Sequence, residues 1–121
     1  APSSLQIPSS YLRYLDQQQI TYKLTTDLTQ YASELNILYM TRIQKERFPD
    51  QLEYERLKGV YRIDLPFLQQ VSSHLKILHP LPRVDEIDKS IDKTEHAAYF
   101  EQAANGIPVR KALLALVFGK K

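Results

Sequence analysis

Two short apolar runs, residues 37–40 (ILYM) and 75–78 (LKIL), show no polar alternation and are separated by segments with helical spacing. A strand with one wet face alternates apolar and polar residues. A continuous apolar run is the mark of a central strand covered on both faces. Such strands alternating with helices specify an α/β fold with a mostly parallel sheet.

The helical signals fill in the order. Ser9 or Ser10 can cap a helix carrying Tyr11, Leu12, Tyr14 and Leu15, which dies in residues 17–19 (QQQ). Residues 20–24 (ITYKL) predict a short strand. Asp27, with Gln30 in capping-box position, predicts a helix whose apolar face is Leu28, Tyr31, Ala32 and Leu35, ending at Asn36. Residues 52–57 predict a short helix closed by Gly59, and residues 60–63 are weakly strand-like. Asp64 caps a helix with Leu65, Leu68 and Val71, where Pro66 is tolerated in the first turn. Thr94 predicts a cap for a helix reaching Ala104 and stopped by Asn105-Gly106. A last helix from Pro108 is apolar nearly all round, with Val109, Ala112, Leu113, Leu116 and Val117 in one stripe, and must be buried on more than one side.

Composition narrows the function. The chain of 121 residues is one domain's worth, and 43% apolar with 25% charged residues is ordinary for a soluble globular protein. Without cysteine there are no disulfides or thiolate metal sites. His74, His79 and His96 lack metal-ligand spacing, and His79 reads as a strand-end hydrogen-bonding residue rather than a catalyst. The net charge of +2 comes from dispersed basic residues, not from a stripe with interleaved aromatics, which argues against nucleic acid. No apolar run approaches the ~18 residues of a membrane span. The opening APSSLQIPSS lacks the basic and apolar regions of a signal peptide, so a cytoplasmic location is the expectation.

In open α/β sheets, ligands bind beyond the carboxyl ends of the strands. Two polar loops leave such ends. Residues 41–50 carry Arg42, Gln44, Lys45, Glu46 and Arg47. An arginine fork there suits a dicarboxylate or a phosphorylated ligand, while the same charges equally suit a solvated loop with internal ion pairs. In residues 79–92, Pro80 and Pro82 remove two backbone donors around Leu81. A turn this stiff can aim bare carbonyls at an amine or amide, or be no more than a proline-stiffened strand exit. A cis bond before either proline fits the pattern.

Residues 37–47 (ILYMTRIQKER), 79–87 (HPLPRVDEI) and 92–117 (DKTEHAAYFEQAANGIPVRKALLALV) closely resemble, in order and spacing, the catalytic chains of aspartate carbamoyltransferases. Ornithine-specific relatives carry a cysteine where Pro80 stands. The resemblance implies a three-layer, doubly wound parallel sheet. Residues 1–106 would be the C-terminal part of an aspartate/ornithine-binding domain, and residues 107–121 a helix packing back on a carbamoyl-phosphate domain. It implies transfer of the carbamoyl group of carbamoyl phosphate to L-aspartate in pyrimidine biosynthesis, with no metal and no organic cofactor. By the same resemblance, Arg42 grips an aspartate carboxylate and Gln44 holds the amino-acid end. The carbonyls of Pro80 and Leu81 accept from the carbamoyl group and the attacking amine, with a cis bond between Leu81 and Pro82. Glu46 orients Arg42, Arg47 makes a domain-closing ion pair, and Glu53 and Tyr54 take part in closure, although residues 47–54 run one residue longer than the family pattern.

The family's phosphate motif STRT and its catalytic lysine loop have no counterpart in this sequence. APSSL matches the family just after a strand, so two strands of the domain are expected to precede Ala1 and to lie between ITYKL and ILYM. The partners implied are an N-terminal carbamoyl-phosphate domain and a homotrimer of catalytic chains, with or without regulatory subunits. The fragment alone is expected to be inactive. The alternative is a non-catalytic carbamoyltransferase-like binding or assembly module, and a small-molecule sensor is the weaker third reading.

Overall fold

A computed structural model describes residues 1–45, 48 and 50–119, with Glu53 described in its backbone only. Strands β1 (Ile37–Tyr39) and β2 (Lys76–Leu78) pair in parallel, with Ile37, Leu38 and Tyr39 opposite Lys76, Ile77 and Leu78. The Lys76 N–H donates to Asn36 O and the Met40 N–H to Leu78 O, each at 2.9 Å, extending the ladder at both ends. On the far side of β2, Ile77 donates to His96 O at 2.7 Å and accepts from the Ala98 N–H at 3.1 Å. A separate parallel bridge joins Ile63 to Ile87.

The core lies around β2. Ile63, Leu75, Ile77, Ile91 and Tyr99 are fully buried, and Leu38, Met40, Phe67 and Ile87 complete it. Each such side chain contributes roughly 1.5–3 kcal/mol over leaving it in water.

The helices are α1 (Ser9–Gln17), α2 (Gln51–Leu57), α3 (Leu65–Leu68) and α4 (Tyr99–Val117). Asp50 accepts the Leu52 N–H at 2.8 Å and Asp64 the Phe67 N–H at 3.0 Å, so both carboxylates satisfy donors that a helix start leaves open. Gly59, at φ 75, takes the left-handed position after α2 that only glycine adopts without cost. Pro8, not a serine, holds the N-cap position of α1, and no side chain caps that helix.

Several expectations are corrected. Residues 20–24 form no strand, and Ile20, Tyr22 and Leu24 are exposed. An apolar extended segment becomes a strand only beside another backbone, and none runs there among the described residues. Leu28–Glu34 is a 3-10 helix that stops before Asn36. Gln30 does not complete a capping box, because its amide oxygen accepts from Thr25 Oγ1 at 3.3 Å. β1 is covered on one face only: Leu38 is buried while Ile37 and Tyr39 are more than half exposed. Residues 60–63 contribute a single bridge. Thr94 caps no helix; its hydroxyl donates back to Ile91 O at 2.8 Å while His96 and Ala98 bond to β2.

Asn105-Gly106 does not interrupt α4, which runs through Pro108. Proline's fixed φ is itself helical, so the cost is one lost hydrogen bond and local crowding, about 3 kcal/mol, set against helix-favouring alanines and leucines on either side. The apolar stripe is not buried. Val109, Leu113, Leu116 and Val117 are each more than half exposed, and nothing among the described residues covers them.

Candidate active site

Because β1 and β2 are parallel, their carboxyl ends open at one edge, and the two polar loops leave side by side. They line a cleft of about 830 Å³. Arg42, Gln44, Pro80, Leu81 and, from α2, Tyr54 all border it. Residues separated by up to 39 positions in the chain are thereby gathered at one strand edge (from 42 to 81). Glu46 and Arg47 lie outside the described residues. Glu53 sits in α2 and its side chain is likewise outside the description. Lys45 Nζ stands 5.9 Å from the centre of the Tyr54 ring, and Phe48 packs on the same ring at a tilt. The cation–π contact ties the first loop to α2 and favours positive charge on this wall.

The second loop is held on every side. The Leu81–Pro82 bond is cis and Leu81 has φ 51. Leu81 donates its N–H to His79 Nδ1 at 2.8 Å. His79 is 1% exposed, and its Nε2 meets Glu86 Oε1 at 2.7 Å. The other oxygen of Glu86 accepts the N–H groups of Val84 and Asp85, each at 3.2 Å. Among the described residues, no backbone N–H donates to the carbonyl oxygens of Pro80 or Leu81.

Arg83 anchors the loop to α4. It forms a two-pronged pair with Asp92, one prong at 2.6 Å, and donates to Tyr99 Oη at 3.0 Å. Tyr99 in turn donates to Asp92 Oδ1 at 2.5 Å. The hydrogen bonds from Arg83 hold the Asp92 carboxyl below its ordinary range, and Asp92 raises the Arg83 guanidinium above its own. Burial, reinforced by the bond to Asp92, pushes the Tyr99 hydroxyl up to about 12. Farther along, Asp88 is drawn down to about 2, first by the Ser90 backbone N–H and then by Arg62 at 2.5 Å.

Sequence reasoning did not pick out Glu86, Asp92, Tyr99 or Gln102. The acids sit inside a run that reads as solvated surface, and no period links Arg83 to partners 9 and 16 residues away. The one available signal was the apolar Ile87 and Ile91 within that run, which mark it as packed rather than free.

The parallel α/β unit brings an arginine, a glutamine and a proline-flanked turn together on one strand edge, the place where open α/β sheets bind small molecules. The chain belongs to the aspartate/ornithine carbamoyltransferase family, whose Asp/Orn-binding domain matches residues 4–117. It is 50% identical, over its whole length, to the aspartate carbamoyltransferase catalytic subunit of Hyperthermus butylicus, of which the match covers 39%. It is 51% identical to that of Vibrio vulnificus, over 99% of this chain and 38% of the relative. The catalytic subunit of M. jannaschii aspartate transcarbamoylase superposes with a TM-score of 0.83 at 42% identity, over 93% of this chain and 37% of that one. Trypanosoma cruzi aspartate transcarbamoylase in complex with N-(phosphonacetyl)-L-aspartic acid gives 0.82 at 32% identity, over 94% and 37%. The chain thus spans about two fifths of the length of the curated relatives it matches.

Proposed function

We propose that this chain is the aspartate-gripping part of an aspartate carbamoyltransferase catalytic subunit, acting in pyrimidine biosynthesis in the cytoplasm. The observation that carries the reading is the single cleft bordered by Arg42, Gln44, Pro80 and Leu81. In the reaction, the amine nitrogen of L-aspartate bonds to the carbamoyl carbon of carbamoyl phosphate. The carbon–oxygen bond to phosphate breaks, the amine gives up a proton, and phosphate leaves. Arg42 takes a substrate carboxylate in a forked pair, and Gln44 donates and accepts at the α-amino and α-carboxylate end. The carbonyls of Pro80 and Leu81 accept from the carbamoyl NH2 and the attacking amine. Catalysis is positioning together with electrostatic stabilisation of the tetrahedral centre.

In this reading Glu46 orients Arg42, and Arg47, Glu53 and Tyr54 close the cleft against neighbouring parts. A carbamoyl-phosphate domain supplies the phosphate-binding groups, and residues 107–121, with the exposed stripe of Val109, Leu113, Leu116 and Val117, dock on it. The assembled enzyme is a homotrimer, with or without regulatory subunits. The test is calorimetric titration of the bisubstrate mimic N-(phosphonacetyl)-L-aspartate into the chain alone and into the chain joined to a carbamoyl-phosphate domain. Tight binding only by the joined protein is expected; equal binding, or none in either, overturns the reading.

A further inference from the structure

We propose that His79 is a positioning residue for the acceptor turn, and that Glu86 fixes the tautomer in which it works. The inference rests on the carbamoyltransferase reading of the cleft. The turn contains one backbone N–H, that of Leu81, because Pro80 and Pro82 have none. That N–H is taken by His79 Nδ1 at 2.8 Å. With its one donor taken by His79, which borders the same cleft, the turn has only carbonyl oxygens left to offer, which is the arrangement an incoming amine and an amide NH2 require.

A ring nitrogen that accepts a hydrogen bond carries no proton, so the neutral ring has its proton on Nε2, facing Glu86 Oε1 at 2.7 Å. Glu86 is 6% exposed and is itself held by the Val84 and Asp85 N–H groups. The histidine backbone is pinned as well, its N–H donating to Gln102 Oε1 at 2.9 Å. Turning the ring over would leave the buried Oε1 of Glu86 and the Leu81 N–H without partners. Leu81 at φ 51 is in the left-handed region that side chains disfavour, and its N–H bond to the ring is made in that conformation.

The experiment compares His79→Asn and His79→Gln in the complete catalytic chain. Asparagine places an oxygen where Nδ1 stands and can accept the Leu81 N–H as an Asx turn. Glutamine reaches Glu86 with its amide but puts no acceptor at the Nδ1 position. His79→Asn should keep kcat within about tenfold of wild type, whereas His79→Gln should lose on the order of 100-fold. The stability order should be the reverse, because asparagine leaves the buried Oε1 of Glu86 without its partner. Activity that follows stability instead overturns the inference. If neither variant folds, nitrogen chemical shifts of His79 in the wild-type chain decide: an unprotonated Nδ1 with a protonated Nε2 supports the assignment, and a protonated Nδ1 overturns it. A wild-type chain that transfers no carbamoyl group overturns the functional reading and this inference with it. An active wild type whose variants track stability overturns the inference alone.

Discussion

Gln102 Nε2 donates to Tyr39 Oη at 3.0 Å, joining β1 to α4 between residues 63 positions apart. The same amide accepts the His79 N–H through its oxygen, so one side chain links the first strand, the last helix and the root of the acceptor turn. Gln102→Leu leaves a buried N–H without an acceptor and should cost about 1–3 kcal/mol, read as a lower urea midpoint at unchanged slope. Gln102→Glu keeps an acceptor and should lose less. Equal losses in the two variants would mean that packing, not this hydrogen bond, is what Gln102 contributes.

The Arg83–Asp92–Tyr99 cluster gives stability a dependence on pH at both extremes. The Tyr99 hydroxyl is raised to about 12, so as pH rises the unfolded chain, ionising near ~10, loses this proton first. The contribution is complete below the unfolded value and is lost through the folded one, on the order of 2 kcal/mol across that window. Asp92 acts in the opposite sense. Its carboxyl is held below the ordinary range, so its contribution is present above the unfolded pKa and disappears as pH falls through the folded value. Tyr99→Phe should flatten the alkaline limb of stability against pH and leave the acid limb. Denaturant unfolding between pH 8 and 12 checks it, and an unchanged alkaline limb would remove Tyr99 as its source.

The exposed apolar half of α4 makes a prediction about assembly. Leu113, Leu116 and Val117 have no cover among the described residues. The chain alone should therefore bind an apolar-surface dye, and addition of a carbamoyl-phosphate domain should displace it. Leu116→Glu should move the chain's own stability by less than about 0.5 kcal/mol, since the side chain touches little. It should nevertheless weaken association by roughly 30-fold, the equivalent of burying one leucine. An unchanged association constant would place the docking surface elsewhere.

Much of this was legible in the residues because it depends on local chemistry. Asp27, Asp64 and Gly59 are short-range signals, and each acts where the pattern puts it. The apolar runs became the paired strands, and a parallel pair necessarily opens both polar loops at one edge. The illegible parts depend on what stands alongside. Residues 20–24 have strand composition but no neighbouring backbone to pair with. Asn105-Gly106 looks like a stop and Pro108 like the start of a new helix, yet all three fit within one helix once the turns on either side are formed. Arg83, Glu86 and Gln102 have roles set by partners brought near only by the fold, and composition alone reads such residues as surface.

The central claim is that the loops after β1 and β2 together hold the amino-acid substrate. Steady-state carbamoyl transfer by the complete catalytic chain, varying L-aspartate at saturating carbamoyl phosphate, tests it directly when wild type is set beside Arg42→Ala. Loss of a forked carboxylate pair should raise the aspartate KM or lower kcat so that kcat/KM falls on the order of 100-fold or more, with carbamoyl-phosphate binding unchanged. An Arg42→Ala enzyme that uses aspartate as well as wild type would contradict the account.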